Sequence, residues 1–281
     1  MKDIDNLDTL IKMALTEDVG DGDHSTLACI PCDAMRTAKM MAKQEGILCG
    51  IEVARRVFEL VDDTLTIQLC RQDGESLRKG DTLMTVSGKA QSILTAERTA
   101  LNFIQRLSGI ATETHRMVKM LDGLETKLLD TRKTTPNMRL LEKYAVKCGG
   151  GTNHRIGLYD MVMLKDNHVD FAGGIEAAID RTHKYLENNG KSLKIEIEVR
   201  NLDELQRVLD HGGVDRIMLD NFDTETLREA VRRIDHRYET EASGGITDAT
   251  LRDYAETGVD FISVGALTHH IKSLDISLVQ Q

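Results

Sequence analysis

The sequence predicts an α/β protein in which a smaller N-terminal α+β domain precedes a C-terminal open α/β barrel. Helix-like and strand-like patterns are mixed in the first part of the chain. From Lys127 onward, short apolar runs alternate with amphipathic helical stretches, which is typical of a parallel sheet. Charged residues and glycines follow these runs, at the strand ends where α/β barrels carry active sites. We therefore place the N-terminal domain at residues 1–122 and the barrel at 123–281, with a C-terminal tail able to pack back on the first domain.

The composition excludes several classes of protein. With 281 residues, of which 41% are hydrophobic and 29% charged, the chain can bury a sizeable core. A formal net charge of -10, 4% aromatic residues and no Trp make a nucleic-acid partner a poor fit, because stacking platforms are scarce. No apolar run reaches membrane length, and the N-terminal stretch lacks the apolar centre of a signal peptide. We expect a soluble, cytoplasmic protein with no membrane partner.

The five cysteines predict neither a disulfide framework nor a metal site. Their number is odd and their positions are scattered: 29, 32, 49, 70 and 148. Cys29 and Cys32 have the spacing of a redox motif, but they precede the first predicted strand instead of opening a helix after one. A zinc site would need a second such pair. We interpret all five as free thiols.

Within the N-terminal domain, apolar residues at helical spacing predict a first helix that ends at the Gly/Asp-rich loop 18–26. Beyond the loop we predict a strand at 37–42, a helix at 51–61, strands at 64–70 and 82–86, and helices at 93–107 and 111–121. The helix at 93–107 carries Glu97 next to Arg98. From the residues alone, this pair is best interpreted as solvent-exposed charges.

In the barrel, apolar runs predict strands at 127–129, 161–164, 193–197, 216–219, 238–242 and 261–264. Helical stretches separate them at 137–148, 174–187, 202–211, 224–234 and 248–257. The helix at 137–148 carries Arg139, Lys143 and Lys147 at i,i+4 spacing, which we interpret as a solvent-exposed face.

A basic segment, residues 130–168, begins directly after the first of these strands. It holds seven Lys or Arg residues against four Asp or Glu residues, within an acidic chain. This local excess predicts an anion site instead of a general polyanion surface. Five side chains that suit carboxylates and phosphates gather at its loop ends: Arg132, Lys133, His154, Arg155 and Lys165.

Other strand ends carry carboxylates and glycines. Glu198 and Asp220 end two successive strands, where a pair of carboxylates suits a hydrated Mg²⁺; the alternative is that they only pair with Lys165 or an Arg. Glu196 lies two residues before Glu198 on the same face of the strand and is the second candidate for a metal ligand. Glycine turns after the last two strands predict phosphate-binding backbone at Ser243, Gly244, Gly245, Gly265 and Ala266, with His269 near them.

The basic segment resembles the quinolinate phosphoribosyltransferase family, the carboxylating nicotinate-nucleotide pyrophosphorylases. Further blocks match in family order at residues 15–26, 95–112, 195–199, 218–221, 243–246 and 262–269. The resemblance implies transfer from phosphoribosyl diphosphate to quinolinate, giving nicotinate mononucleotide, diphosphate and CO₂, with Mg²⁺ as cofactor. It also implies a homodimer in which Arg98 reaches the neighbouring subunit's substrate.

Combining residues and resemblance, we expect catalytic roles for Lys133, Lys165, Glu198 and Asp220, the last two holding the metal. The expected substrate-binding set is Arg98, Thr131, Arg132, Lys133, His154, Arg155, Lys165, Ser243, Gly244, Gly245, Gly265, Ala266 and His269. Three alternatives stay open. They are a different phosphoribosyl or sugar-phosphate transferase on the same scaffold, a Schiff-base aldolase using Lys165, and a ligand-binding protein without turnover.

Overall fold

The computed structural model describes residues 6–280 and divides them into two compact units. The first unit comprises the described chain up to His115, the segment Thr134–Gly150 and the segment that starts at Ala266. The second comprises Arg116–Lys133 and Gly151–Gly265. The predicted α/β class is confirmed, whereas the predicted domain boundary at residues 122 and 123 stays a prediction.

The elements before residue 121 are α1 (Leu7–Val19), α2 (His24–Cys29), β1 (Met35–Ala42), β2 (Gly46–Ile47), α3 (Ile51–Val61), β3 (Thr66–Leu69), β4 (Ser76–Leu77), β5 (Thr82–Lys89) and α4 (Ala90–Met120). The elements after it are β6 (Lys127–Leu129), α5 (Arg139–Cys148), β7 (Val162–Leu164), α6 (Asp166–Ala172), α7 (Ile175–Asn188), β8 (Ile195–Val199), α8 (Leu202–His211), β9 (Arg216–Asp220), α9 (Thr224–Ile234), β10 (Glu239–Ser243), α10 (Leu251–Ala255), β11 (Phe261–Ser263), α11 (Ala266–His269) and β12 (Ile276–Gln280).

The first unit is built on an antiparallel four-stranded sheet in the order β12-β1-β5-β3. Alternate residues of β1 are buried, including Met40 and Ala42, because successive side chains of a strand point to opposite faces. The apolar face of α3 is buried as well, with Val57 and Phe58 fully excluded from solvent. Strand β12 pairs with β1 from Ala38 to Ala42.

The structure has one continuous helix, α4, where two separate helices at 93–107 and 111–121 were predicted. It runs without interruption through Ser108 and Gly109 to Met120. A Cβ on Gly109 would overlap the carbonyl oxygen of Lys272, so the glycine allows close backbone approach and does not end the helix.

Helix α5 belongs to the first unit and differs from the exposed helix that its charges predicted. Lys143 is 1% exposed, so its assignment to a solvent-exposed face is wrong. Glu142 is completely buried and accepts hydrogen bonds from Arg106 on α4, the shorter at 2.6 Å. Of the three cations at i,i+4 spacing, only Lys147 is exposed, so this spacing alone does not define an exposed face.

The second unit contains six parallel strands in the order β6-β11-β10-β9-β8-β7. Strands β6 and β7, which follow one another along the chain, lie at opposite edges of the sheet. The sheet is thus open between them in the described part of the chain, in agreement with the predicted open barrel.

Charged side chains, not only aliphatic ones, alternate along the buried strands of this sheet. Glu196, Arg216 and Glu239 lie in register on β8, β9 and β10. Two residues further along the strands, Glu198 and Glu241 both lie opposite Met218. Barrel interiors are usually filled by bulky branched residues, so these charges must be paired to be tolerated.

No helix among residues 6–280 is long and apolar enough to cross a membrane.

Candidate active site

The loop after β6 is held by Asp130, a residue that the sequence analysis did not single out. Asp130 is completely buried. Its carboxylate accepts the backbone N–H of His154 at 2.8 Å and the side-chain amide of Asn153 at 2.6 Å. Thr152 also bridges to Leu129 of β6. These contacts bring the two parts of the basic segment together and orient Arg155, the next residue.

Arg132 and Arg155 form a pair of like charges at this end of the sheet. The Nε of Arg132 is buried and has no hydrogen-bond partner among the described residues. Arg155 is half-buried, and its Nη1 donates to the carbonyl oxygen of Met161 at 3.1 Å. Burial and the nearby charge of Arg132 lower the pKa of Arg155. An anion bound between these guanidinium groups would relieve their repulsion.

Lys165, Glu198 and Asp220 form a second group at the strand ends. The Nζ of Lys165 lies 3.7 Å from Oε2 of Glu198, whose side chain is 10% exposed. Burial and the charge of Asp220 raise the pKa of Glu198. Burial also raises the pKa of Asp220, although a hydrogen bond from Asn221 and the charges of Lys165 and Lys133 oppose the rise. The charge of Asp220 thus acts on Glu198 at the end of the neighbouring strand.

This carboxylate pair fits the predicted Mg²⁺. The raised pKa values of Glu198 and Asp220 mean that their negative charges are insufficiently compensated by the protein. A divalent cation would supply the missing positive charge, and Mg²⁺ typically binds one or two carboxylates while keeping waters or phosphate oxygens. The donor set is all oxygen, as a hard cation requires.

The glycine turn after β10 has a conformation that glycine alone adopts readily. Gly244 and Gly245 have φ values of 96° and 64°. A Cβ on Gly244 would overlap the side chain of Asn221, whereas nothing lies within 4 Å of the Cβ position of Gly245. The backbone N–H of Asn221 donates a hydrogen bond to the carbonyl oxygen of Ser243 at 2.9 Å. The turn is thus fixed against the end of β9, and one side of Gly245 is open.

His154 lies among buried charged side chains. Its side chain is 5% exposed, and Nε2 lies 3.0 Å from Glu196 and 3.2 Å from Glu241. Arg216 lies beside the same group, 3.2 Å from Glu241. Buried carboxylates therefore lie at the Nε2 edge of the imidazole, and the substrate-binding role of His154 stays a prediction. Glu196 stays the second candidate for the metal, since Glu196, His154 and Glu241 offer ligand atoms that lie within 4.8 Å of one another.

The His154–Glu196–Glu241 cluster retains one additional proton near neutral pH. Burial and the charge of Glu241 raise the pKa of Glu196 to about 7. Burial disfavours charge on His154, but hydrogen bonds to both carboxylates outweigh it and raise the pKa of His154 to about 9. The backbone N–H of Arg155 lies 2.7 Å from Nδ1 of His154, a contact that needs a lone pair on that nitrogen. This contact favours the additional proton on Glu196.

The remaining predicted residues fall into both units. Thr131 accepts the backbone N–H of Lys133 at 3.1 Å in the loop after β6, and Gly265 follows β11 in the second unit. Three others belong to the first unit: Arg98, Ala266 and His269. Arg98 is exposed on α4.

Sequence reasoning missed Asp130, Arg216 and Glu241. The signal for the last two was present, since charged residues alternate within segments predicted as buried strands, as in Glu239-Thr240-Glu241. In a strand whose two faces are both covered, a charge at an interior position indicates a buried ion pair or a site. Asp130 gave no such signal, because an acid directly after a strand is usual in loops.

Two family profiles match this chain over most of its length. Residues 23–108 match the profile of the quinolinate phosphoribosyl transferase N-terminal domain, and residues 110–279 match that of the C-terminal domain. The chain is 44% identical to a chloroplastic nicotinate-nucleotide pyrophosphorylase [carboxylating] of Arabidopsis thaliana, covering 97% of this chain and 82% of the relative. It is 42% identical to a probable nicotinate-nucleotide pyrophosphorylase [carboxylating] of Bacillus subtilis, covering 97% and 92%.

Solved structures give the same result. The nicotinate-nucleotide pyrophosphorylase of Francisella tularensis superimposes with a TM-score of 0.93 at 43% identity, covering 99% of this chain and 96% of that one. NadC of Streptococcus pyogenes superimposes with a TM-score of 0.93 at 41% identity, covering 98% and 97%. Both family profiles together span almost the whole chain. The chain therefore belongs to the quinolinate phosphoribosyl transferase family.

Proposed function

We propose that this protein transfers the phosphoribosyl group of phosphoribosyl diphosphate to quinolinate, with loss of one carboxylate, giving nicotinate mononucleotide, diphosphate and CO₂. The names of its relatives, carboxylating nicotinate-nucleotide pyrophosphorylases, support this reaction. The observation that carries the proposal for this chain is the pair Arg132 and Arg155, whose charges repel each other beside the strand ends. A pyridine with two carboxylates supplies the opposite charge that the pair requires.

In this proposal, Arg132 and Arg155 bind the quinolinate carboxylates and orient the ring nitrogen toward the ribosyl carbon. Asp130 and His154 act through them. Asp130 holds the backbone at His154, and the imidazole, fixed by Glu196 and Glu241, receives the N–H of Arg155. The position of Arg155 therefore depends on the buried groups Asp130 and His154.

Glu198 and Asp220 would hold Mg²⁺, which supplies positive charge to the leaving diphosphate when it is bound. Lys133 and Lys165 add charge at the same strand ends and would stabilise the negative charge that develops on the diphosphate. The carboxylates of Glu198 and Asp220 would also shield the positive charge that develops on the ribosyl carbon. Backbone N–H groups of the turns at Ser243–Gly245 and Gly265–Ala266, together with His269, would bind the sugar phosphate.

Decarboxylation needs no nucleophilic side chain. Once the ring nitrogen is bonded to the ribosyl carbon, the positive nitrogen stabilises the electron pair that the departing CO₂ leaves on the neighbouring ring carbon. A proton from solvent then takes the place of the carboxylate, and the residues around the ring need only keep it oriented.

A Schiff-base aldolase is a weaker candidate. Lys165 Nζ lies 3.7 Å from Glu198, a carboxylate that stabilises an ammonium ion, whereas a Schiff-base lysine must act as a free amine. Borohydride trapping with a carbonyl substrate would label Lys165 in an aldolase and leave a phosphoribosyltransferase unlabelled.

Two finer points belong to the proposal. The active form is proposed to be a homodimer in which Arg98 completes the neighbouring site; exposure of Arg98 supports this. Mixing inactive Arg98→Ala chains with inactive Lys165→Ala chains should restore activity, and mixed dimers that stay inactive would contradict it. A cytoplasmic location is also proposed, although plant relatives carry chloroplastic or mitochondrial in their names.

The decisive experiment is incubation of the purified chain with quinolinate, phosphoribosyl diphosphate and Mg²⁺. Nicotinate mononucleotide and CO₂ should form in equal amounts. Nicotinate offered in place of quinolinate should give little product, and Lys147→Ala, which removes an exposed cation of α5, should have no effect. Product formation with nicotinate and none with quinolinate would contradict the proposal.

A further inference from the structure

Three possible metal ligands meet in the first unit, and the proposed reaction uses none of them. The sulfurs of Cys49 and Cys148 and a carboxylate oxygen of Asp73 all lie within 4.8 Å of one another. Cys49 precedes α3, Asp73 lies between β3 and β4, and Cys148 is the last residue of α5. All three belong to the first unit, so the fold alone brings these distant segments to one point.

The two cysteine backbones are held in place by their surroundings. Ser108 Oγ accepts the N–H of Cys49 at 2.9 Å and donates to its carbonyl oxygen at 3.1 Å. Next to Cys148, a Cβ on Gly149 would overlap the carbonyl oxygen of Ala111, so the end of α5 packs closely against α4. A site whose ligands are already fixed loses little conformational freedom when an ion binds.

Asp73 is oriented toward the thiols by its own hydrogen bonds. Oδ1 accepts the N–H of Ile51 at 3.0 Å, and Oδ2 accepts the hydroxyl of Tyr144 at 2.9 Å. Such contacts around a ligating carboxylate are typical of metal sites and tune the affinity for the ion. The hydrogen bond from Ile51 also makes Asp73 a cap for helix α3. Capping alone does not explain why two thiols lie beside the same carboxylate.

The donor set selects the kind of cation. Thiolates are soft ligands that suit zinc and related ions, whereas Mg²⁺ and Ca²⁺ prefer oxygen throughout. A tetrahedral zinc ion binds sulfur at about 2.3 Å and carboxylate oxygen at about 2.0–2.2 Å, so small shifts would place the three atoms on one ion. Cys49 is completely buried, while Asp73 and Cys148 are partly exposed and leave access for water as a fourth ligand.

We propose that Cys49, Asp73 and Cys148 form a structural site for one thiophilic divalent cation of the zinc class. The ion ties the end of α5 to the turns before α3 and β4. The site does not depend on the proposed reaction, since that reaction assigns a role to none of the three residues and all three lie in the first unit.

The test uses the full-length chain, freed of metal and kept reduced with a phosphine, and titrates it with Cd²⁺ as the probe. One Cd²⁺ per chain should bind and produce the ultraviolet charge-transfer band of thiolate–cadmium bonds. Cys148→Ser and Asp73→Asn should each weaken Cd²⁺ binding by at least about tenfold, since each removes one ligand. Cys70→Ser, which removes an exposed thiol, is the matched control and should bind as the parent does.

A second measurement does not depend on variants that fold well. Stoichiometric Cd²⁺ should protect Cys148 of the parent chain from alkylation while leaving Cys70 reactive, and Zn²⁺ should raise the melting temperature of the parent. The proposal is overturned if no band appears, if Cys148→Ser keeps full affinity, or if a Cys29→Ser/Cys32→Ser double variant loses the band instead. Recovery of a Cys49–Cys148 disulfide with no metal binding by the reduced chain would also overturn it.

Discussion

The second unit contains two kinds of arginine. The positive charge of Arg216 is balanced by nearby carboxylates, whereas the charges of Arg132 and Arg155 at the strand ends are not. Arg216 is 13% exposed and has Glu239 at 3.0 Å and Glu241 at 3.2 Å, so its charge is neutralised within the protein. Arg132 and Arg155 face each other's charge instead, and Nε of Arg132 has no partner among the described residues. Identical side chains therefore stabilise the fold where they are paired and bind ligand where they are left uncompensated.

The largest expected effect is at the strand-end carboxylates. Glu198→Ala combined with Asp220→Ala should lower turnover by at least about 10³-fold, because the leaving diphosphate loses the charge that these residues organise. Steady-state rates over a range of Mg²⁺ concentrations measure it. A double variant with the parent's turnover and Mg²⁺ dependence would show that neither residue holds the ion.

Breaking the internal pair should affect stability and not only activity. Arg216→Met should lower the free energy of unfolding by about 3–5 kcal/mol, because it leaves Glu241 buried beside Glu196 without its cation. Urea denaturation measures the loss. The matched control is Arg252→Ala at the exposed Arg252–Glu256 pair, which should change it by less than about 1 kcal/mol. Equal effects of the two variants would refute the distinction between the two regions.

Arg155→Ala should affect quinolinate binding more than the free energy of unfolding. We expect quinolinate binding to weaken by about 2–5 kcal/mol, since the ligand carboxylate would be left without its partner. The unfolding free energy should stay close to that of the parent, or rise, because a repulsion with Arg132 is removed. Calorimetry with quinolinate and denaturation of the free protein test both halves. Unchanged quinolinate affinity would remove Arg155 from the site.

The smallest effect is a pH dependence of stability arising from the buried cluster. The His154–Glu196–Glu241 cluster releases its additional proton only as the pH rises through the pKa of about 9 that the cluster gives His154, whereas an unfolded histidine releases its proton near pH 6.5. The folded chain therefore binds more protons between these values. The resulting stabilisation is fully present below pH 6.5 and is lost as the pH rises through 9, by about 3 kcal/mol at most.

Denaturation midpoints across this range should show that loss in the parent. The double variant His154→Asn/Glu196→Gln should have a flatter profile, whereas His183→Asn, which removes an exposed histidine bonded to Gly213, should keep the parent's slope. A parent profile with no fall between pH 6.5 and 9 would contradict the assignment of the additional proton.

Much of the barrel could be predicted from the sequence because short strand-like segments alternate regularly with amphipathic helical stretches. Helices α8 and α9 begin and end where the pattern predicts, at Leu202–His211 and Thr224–Ile234, since Asn201 and Asp223 cap them. Helix α6 was missed, because its seven residues follow a strand immediately and show no helical period. The pairing of β12 with β1 is a tertiary contact that no local signal encodes.

The site was predictable where residue type and strand end coincide, as for Lys165, Glu198 and Asp220. The site was less predictable where the role of a residue depends on whether its side chain is buried. His154 and Arg155 are adjacent in sequence, yet one imidazole is enclosed by carboxylates while the next side chain reaches the strand ends. The meeting of Cys49 with Cys148 depends on packing between distant segments, which spacing along the chain cannot reveal.

The pairing of β1 with β12 has a consequence for biosynthesis. Strand β1 (Met35–Ala42) leaves the ribosome long before Ile276–Gln280, and until then one edge of β1 has only solvent or other chains to bond with. The second unit can assemble during that interval, since all of its residues precede Ala266. Nascent chains paused before residue 276 should therefore be prone to intermolecular strand pairing, and chaperone binding is expected to concentrate on the early sheet.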